Sequence, residues 1–213
     1  MATDLKNKLI KEGKTRWLDI GCGGNFEKNF YYLDIFPIGV IDPKIRKRYF
    51  RADIVNVSSK ELKVLGKFDL VRMQHVFEHF SFEDGQKALK NCARLLKNGG
   101  VLLISVPDLK IHLDKYFQGK YKDLSEFQAW AQRRIPKEAP ASFYFSVFAH
   151  GIAYGGAHLW CYDFEGLKYQ LETCGGFKKI IELKKDNSLA SIPFTHNMPQ
   201  EDLCIVTTKA GIF

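Results

Sequence analysis

A short apolar run, Arg16-Trp17-Leu18-Asp19-Ile20, closes on Gly21-Cys22-Gly23-Gly24. That pattern predicts a buried strand running into a tight glycine turn. Only glycine lets a backbone approach a ligand closely and take up positive φ, so Gly21 and Gly23 are expected at a ligand loop. The dinucleotide fingerprint G-x-G-x-x-G needs a third glycine at position 26, where the chain has Phe26, and nicotinamide or flavin chemistry loses ground accordingly. Asp19 lies inside the strand, where a charge requires a partner. The five cysteines, Cys22, Cys92, Cys161, Cys174 and Cys204, are far apart and form no C-x-x-C pair. They read as reduced thiols of a cytosolic-type compartment rather than as a zinc or redox site. No acidic pair stands at ligand spacing, with Asp108 and Asp114 ambiguous, and no metal is expected.

The elements that must position these residues follow from periodicity. Further apolar runs stand at Ile38 to Ile41, Phe68-Asp69-Leu70-Val71 and Val101 to Val106, the last introduced by the turn signal Asn98-Gly99-Gly100. Between the last two, Phe82 to Lys97 carries Ala88, Leu89, Cys92, Leu95 and Leu96 at helical spacing, with Asn98-Gly99 as the expected C-cap. Strand, helix and strand in alternation predict a parallel sheet. Asp163 to Cys174 reads as a helix stopped by Gly175-Gly176. Phe177 to Leu183 and Leu203 to Thr208 follow as strands with no helical pattern between them, so they should pair antiparallel at one sheet edge. Residues 109–162 have no clean strand period and are dense in aromatics. Placed over the carboxyl edge of the sheet, they are expected to form a lid or substrate-recognition insertion, with an extra packing layer as the alternative.

The chain has 213 residues, 46% hydrophobic and 26% charged, which is ordinary globular usage and excludes a fibre or a disordered tail. At about one domain per 150 residues, residues 1–213 read as one domain plus the insertion at 109–162. Met1 to Lys14 is Lys-rich and polar, with no signal-peptide core, and no window approaches the roughly 18 apolar residues of a spanning helix. A soluble, cytoplasmic protein is expected. The net charge of +8 allows an anionic partner.

Leu18-Asp19-Ile20-Gly21-Cys22-Gly23-Gly24-Asn25 resembles the first motif of the class I S-adenosylmethionine-dependent methyltransferases. Phe68-Asp69-Leu70-Val71 followed by His75-Val76-Phe77-Glu78-His79 resembles that family's fourth strand and the helix start after it. Gly99 to Pro107 resembles its fifth strand, and Leu171 to Phe177 its last helix entering the sixth strand. The resemblance implies an α/β fold, a doubly wound, seven-stranded, mostly parallel Rossmann-like sheet, with an aromatic-rich insertion after strand 5. It also implies S-adenosyl-L-methionine as cofactor, S-adenosyl-L-homocysteine as product, and methyl transfer.

The family places an acidic residue at the end of its second strand, on the ribose hydroxyls. Asp42 fits if a full helix intervenes after the first strand. Asp34 fits a compact subgroup in which the glycine loop runs almost directly into the second strand, and it is favoured because Tyr31-Tyr32-Leu33 is better strand than helix. Either carboxylate could instead serve only a turn or a helix cap. Ile35 follows Asp34 into the cofactor site. Asp53 resembles the residue that receives the adenine amino group, with Ile54 giving a backbone contact; the alternative is a cap on the helix around Ser58 to Leu65. Gly21, Cys22 and Gly23 form the loop, Asp19 organises it and reaches the methionine amino group through water, and Met73 and Gln74, just after the fourth strand, border the methionine by backbone.

A sulfonium already makes the methyl group electrophilic, so an enzyme adds mainly in-line positioning. A hydroxyl acceptor also needs a general base, most often His. The candidates are His75 and Asp108, which follow strands facing the cofactor, and His158, whose segment Leu159-Trp160-Cys161-Tyr162-Asp163 resembles one entering the last helix. His150 is a further possibility, and His79 reads as a helix-face packing residue. The start of the chain, His-Val-Phe-Glu-His and the aromatic insertion resemble small methyltransferases acting on sugars and polysaccharides, which implies a sugar, glycan or glycolipid acceptor. Aromatic faces suit the C–H faces of sugar rings. Other small molecules, quinone- or nucleotide-linked, are the alternative within the class, and an inactive cofactor-binding module is another. Nucleic acid is not the expected partner, because Met73-Gln74-His75-Val76 replaces the Asn/Asp-Pro-Pro-aromatic motif of base methylation. Lys44, Arg46, Lys47, Arg48 and Arg51 read as a solvated basic face, or as one holding a phosphorylated or glycan-linked acceptor near the lid. Peripheral membrane contact stays open.

Overall fold

The computed structural model describes residues 5–23, 26–27, 29–37, 43–119, 158–183 and 202–211. In chain order the elements are α1 (Leu5–Lys11), β1 (Trp17–Ile20), β2 (Phe30–Asp34), β3 (Tyr49–Arg51), α2 (Ser59–Leu65), β4 (Phe68–Gln74), α3 (Phe82–Leu95), β5 (Leu96–Pro107), α4 (Leu109–Phe117), α5 (Phe164–Cys174), β6 (Phe177–Glu182) and β7 (Asp202–Lys209). The strands form one seven-stranded sheet in the order β3-β2-β1-β4-β5-β7-β6. Strands β1 to β5 run parallel, and β7 lies antiparallel between β5 and β6. This is the doubly wound sheet expected above, with the antiparallel pair at one end.

The alternation of side chains sorts the core into two layers. Leu18, Val71, Leu102 and Ile104 face α2, α3 and α5, while Trp17, Leu70 and Leu103 face the opposite layer with Leu9 of α1. Every residue of β4 is buried, as a central parallel strand covered on both faces must be. Helix α3 buries Ala88, Leu89, Cys92 and Leu95 on one stripe. Its Gln86 Nε2 donates to Gln170 Oε1 of α5 at 2.6 Å, which ties the two helices on that face.

Several boundaries differ from the periodicity reading. The Lys-rich start contains a short helix, because Leu9 at 2% exposure is enough to anchor it. Strand β3 was not anticipated: a three-residue edge strand beside a basic run has too little pattern to read. The apolar run at Ile38 to Ile41 lies outside the described residues. Met73 and Gln74 belong to β4 itself. Helix α3 stops at Leu95, where Leu96 N–H donates back to Cys92 O, so Asn98-Gly99 is not its cap. Those residues instead lie within β5, whose pairing with β4 slips between Phe68 and Leu70. The insertion opens on a helix: Asp108 caps α4 by accepting from Lys110 N–H at 2.9 Å. The rest of it, from 120 to 157, lies outside the described residues.

Candidate active site

The carboxyl ends of β1 and β4 meet at the point where the chain reverses its winding, the crevice in which open α/β sheets hold ligands. Gly21 has φ +71°, and a Cβ on it would stand 2.3 Å from Val76 Cγ2, so the loop after β1 is pressed against the loop after β4. Gly23 has φ +56° and open space where a side chain would be. Its N–H donates to Asp34 Oδ2 at 3.0 Å, and Cys22 Sγ lies 3.6 Å from the same oxygen. Phe36 N–H donates to Asp34 Oδ1 at 3.3 Å. A carboxylate has about four lone-pair sites, so Asp34 keeps acceptor capacity after holding the loop. Strand β2 follows the glycine loop with no helix among the described residues between them, which is the compact arrangement; Asp42 lies outside the described residues.

Beside Asp34, Ile35 is exposed. Asp53 accepts from Val55 N–H at 2.9 Å and from Asn56 Nδ2 at 2.7 Å. It therefore closes its own turn, and the cap of α2 is Ser58, in a capping box with Glu61. Ile54 is buried, its carbonyl accepting from Asn91 Nδ2 of α3 at 2.8 Å. Asp19 finds its partner in Arg72, opposite it on β4, with Nη2 to Oδ2 at 2.8 Å. The other arm of Arg72 reaches Glu27 at 2.7 Å, just past the glycine loop. Asp19 thus braces the loop through a buried ion pair. Met73 is packed in the core and has only its backbone to offer, while Gln74 Oε1 is buried with no hydrogen-bond partner among the described residues. An open Gly23, Asp34 behind it and an orphaned Gln74 oxygen form a cradle that fits an amino-acid-bearing nucleoside.

Next to this cradle lies a group of imidazoles and carboxylates. His75, at φ +51°, turns the chain out of β4, and its N–H donates to Ser105 O of β5 at 2.9 Å. Its Nε2 lies 3.2 Å from Asp202 Oδ2, which also accepts from Ser105 Oγ at 3.1 Å. Its Nδ1 lies 3.4 Å from Glu78 Oε1. Burial alone would lower the pKa of His75, but hydrogen bonds to Asp202 and Glu78 outweigh it and push the ring up to about 10. Glu78 stands on a single 3-10 turn, Phe77–His79, with its side chain 1% exposed. His158 Nε2 is 3.9 Å from Glu78 Oε1, and the His158 ring meets His79 edge-on with centroids 4.8 Å apart. The N–H groups of Leu159 and Trp160 donate to Glu78 O at 2.8 and 3.2 Å, which clamps the end of the insertion onto this turn.

Of the three catalytic candidates, His75 and His158 are brought together through Glu78. Asp108 instead caps α4, beside the bridge it forms with Tyr162. His79 is not on the face of α3 but on the turn before it, against His158. His150 lies outside the described residues. Sequence reasoning missed Arg72, Glu78 as a bridge, and Asp202, which reaches His75 across a separation of 127 residues. The basic run is exposed, as a solvated face would be. Lys44, Arg46, Lys47 and Arg48 are exposed beside β3, the edge strand on the far side of β1 from β5 and α4, so they do not flank the insertion's described ends.

The fold is an open α/β sheet with a ligand crevice at its switch point. The family description "Methyltransferase domain" matches residues 2–151, and the chain belongs to this family, the class I S-adenosylmethionine-dependent methyltransferases. It is similar to a solved S-adenosylmethionine-dependent methyltransferase from Clostridium acetobutylicum ATCC 824, at 14% identity and TM-score 0.53 over 99% of this chain and 91% of that one. Magnesium protoporphyrin IX methyltransferase from Synechocystis PCC 6803, solved with bound SAH, matches at 12% identity and TM-score 0.51, covering 98% of this chain and 82% of that one. The N-methyltransferase NodS from Bradyrhizobium japonicum WM9, in complex with S-adenosyl-L-homocysteine, matches at 13% and 0.52, covering 98% and 84%. At such identities the likeness shows a shared fold and leaves the acceptor open. No curated protein matches the chain. Among the described residues no helix is long and apolar enough to cross a membrane.

Proposed function

We propose that this methyltransferase methylates a hydroxyl of a sugar or glycan. The observation that carries the reading is Trp160: the residue is 41% exposed, and its backbone N–H donates to Glu78 O, which fastens it to the turn that bears Glu78. An aromatic face beside polar, proton-accepting groups is what a sugar ring needs, stacking on its C–H face while its hydroxyls meet the imidazoles.

When bound, S-adenosyl-L-methionine supplies a methyl group made electrophilic by its sulfonium and is left as S-adenosyl-L-homocysteine. The chain's own residues do the rest. Asp34 accepts from the ribose hydroxyls while Gly21, Cys22 and Gly23 let the backbone approach, Ile35, Asp53 and Ile54 flank the adenosine, and Asp19, Met73 and Gln74 border the amino-acid end. The hydroxyl of the acceptor loses its proton as its oxygen bonds to the methyl carbon. With Asp108 committed to α4 and His75 held protonated between Asp202 and Glu78, that proton is received by His158, beside Glu78.

The test uses isotope-labelled S-adenosylmethionine with a panel of oligosaccharides, glycolipids and RNAs. Label should enter a glycan, and His158→Asn should lower kcat about a hundredfold, the scale of general base catalysis, while His75→Asn should lower it less, through the loss of the group that holds Glu78. Affinity for S-adenosylhomocysteine should stay unchanged. Label entering only RNA or only non-sugar molecules would overturn the acceptor assignment.

A further inference from the structure

Glu78 is expensive as it stands. Its carboxylate is buried, its Oε1 faces His75 Nδ1 at 3.4 Å and His158 Nε2 at 3.9 Å, and its Oε2 has no hydrogen-bond partner among the described residues. A buried carboxylate oxygen left without a partner carries a desolvation cost that a further cation would offset. One ligand atom each from Glu78, His79 and His158 lies within 4.8 Å of the others. Ligand atoms about 2.0–2.2 Å from a tetrahedral ion are about 3.4 Å apart, so small rotamer changes would close this set.

We propose that Glu78, His79 and His158 bind a first-row transition-metal dication. Two imidazoles and one carboxylate favour zinc, cobalt, manganese or ferrous iron over magnesium or calcium, which prefer oxygen ligands alone. Three protein ligands leave a position open, as in sites where a metal acts on a substrate. The backbone supports the set: the N–H groups after His158 hold the carbonyl of Glu78, so the two halves of the site cannot separate without breaking those bonds. Resting on the hydroxyl-acceptor reading above, the open position takes the acceptor oxygen. An ion held there would acidify the hydroxyl, whose proton would leave to solvent, with His158 a ligand in place of its role as base.

The test is a Co2+ titration of the full chain, followed by visible absorption and repeated as Zn2+ calorimetry with excess Mg2+ present. One equivalent per chain is expected, with His158→Ala and Glu78→Gln each weakening Co2+ at least tenfold. Because Glu78→Gln replaces a buried group and could unfold the chain, His79→Ala/His158→Ala, checked for native circular dichroism, is the deciding variant. Equal Co2+ affinity in wild type and that folded double variant overturns the site. Binding that persists when no glycan is methylated leaves the site standing and removes only the acceptor reading. Undiminished methylation of a glycan in chelator removes the ion's part in the reaction.

Discussion

Asp34 joins two backbone segments. Its carboxylate gathers Gly23, Cys22 and Phe36, and the residue is 5% exposed, so losing it removes the loop's anchor and, on the proposed reading, the acceptor for the ribose hydroxyls. Hydrogen bonds to a charged group contribute about 1.5–3 kcal/mol each. Asp34→Ala should therefore weaken S-adenosylhomocysteine about tenfold to a hundredfold by calorimetry. Unchanged affinity, with a loss in Asp42→Ala instead, would move the ribose contact to Asp42. Gly21 is constrained in a different way, by positive φ and by Val76 2.3 Å from the position of a Cβ. Gly21→Ala should lower the urea midpoint, and Gly21→Ala/Val76→Ala should recover the steric part of that loss. The share owed to left-handed backbone, about 1–2 kcal/mol, should remain. The placement of both residues at strand ends was readable from the sequence, Gly21 just after β1 and Asp34 closing β2.

At the scale of elements, readability tracked the number of residues that repeat a pattern. Helix α3, fourteen residues with one apolar stripe, and the buried runs of β4 and β5 were plain in the sequence. The three residues of β3 were not, and the glycines before Val101 read as a helix stop although they form a bulged start to β5. Local signals of that kind satisfy several structures equally, and the partner strand chooses among them. Helix α2 is held by local chemistry instead: Ser58 Oγ accepts from Glu61 N–H at 3.2 Å, and Glu61 returns a bond to Ser58 N–H at 2.8 Å. Ser58→Ala should cost about 1 kcal/mol, with an upper bound near 2, in urea unfolding. A loss within error would show that tertiary packing alone holds this helix.

For the whole molecule, Arg72 is the tie between sheet and loop. It is fully buried, pairs with Asp19 and Glu27, and lies over the Phe30 ring at 4.2 Å. Arg72→Met should destabilise the fold by about 3–5 kcal/mol, because it leaves the Asp19 charge buried without its partner. Adding Asp19→Asn should return part of that loss in the same denaturation series. Simple addition of the two single effects would mean that the pair is not coupled.

The order of glycine loop, apolar runs and amphipathic helices determined by itself that this chain folds as a mostly parallel α/β sheet of the methyltransferase family, because those signals act between near neighbours. Only the tertiary structure decided which residues stand together beyond the end of β4. His75 and Glu78 follow β4, Asp202 opens β7 and His158 precedes α5, and they meet because β5 lies between β4 and β7 in the sheet. No local period encodes a meeting of that kind, since it depends on which strands become neighbours once the whole core is buried.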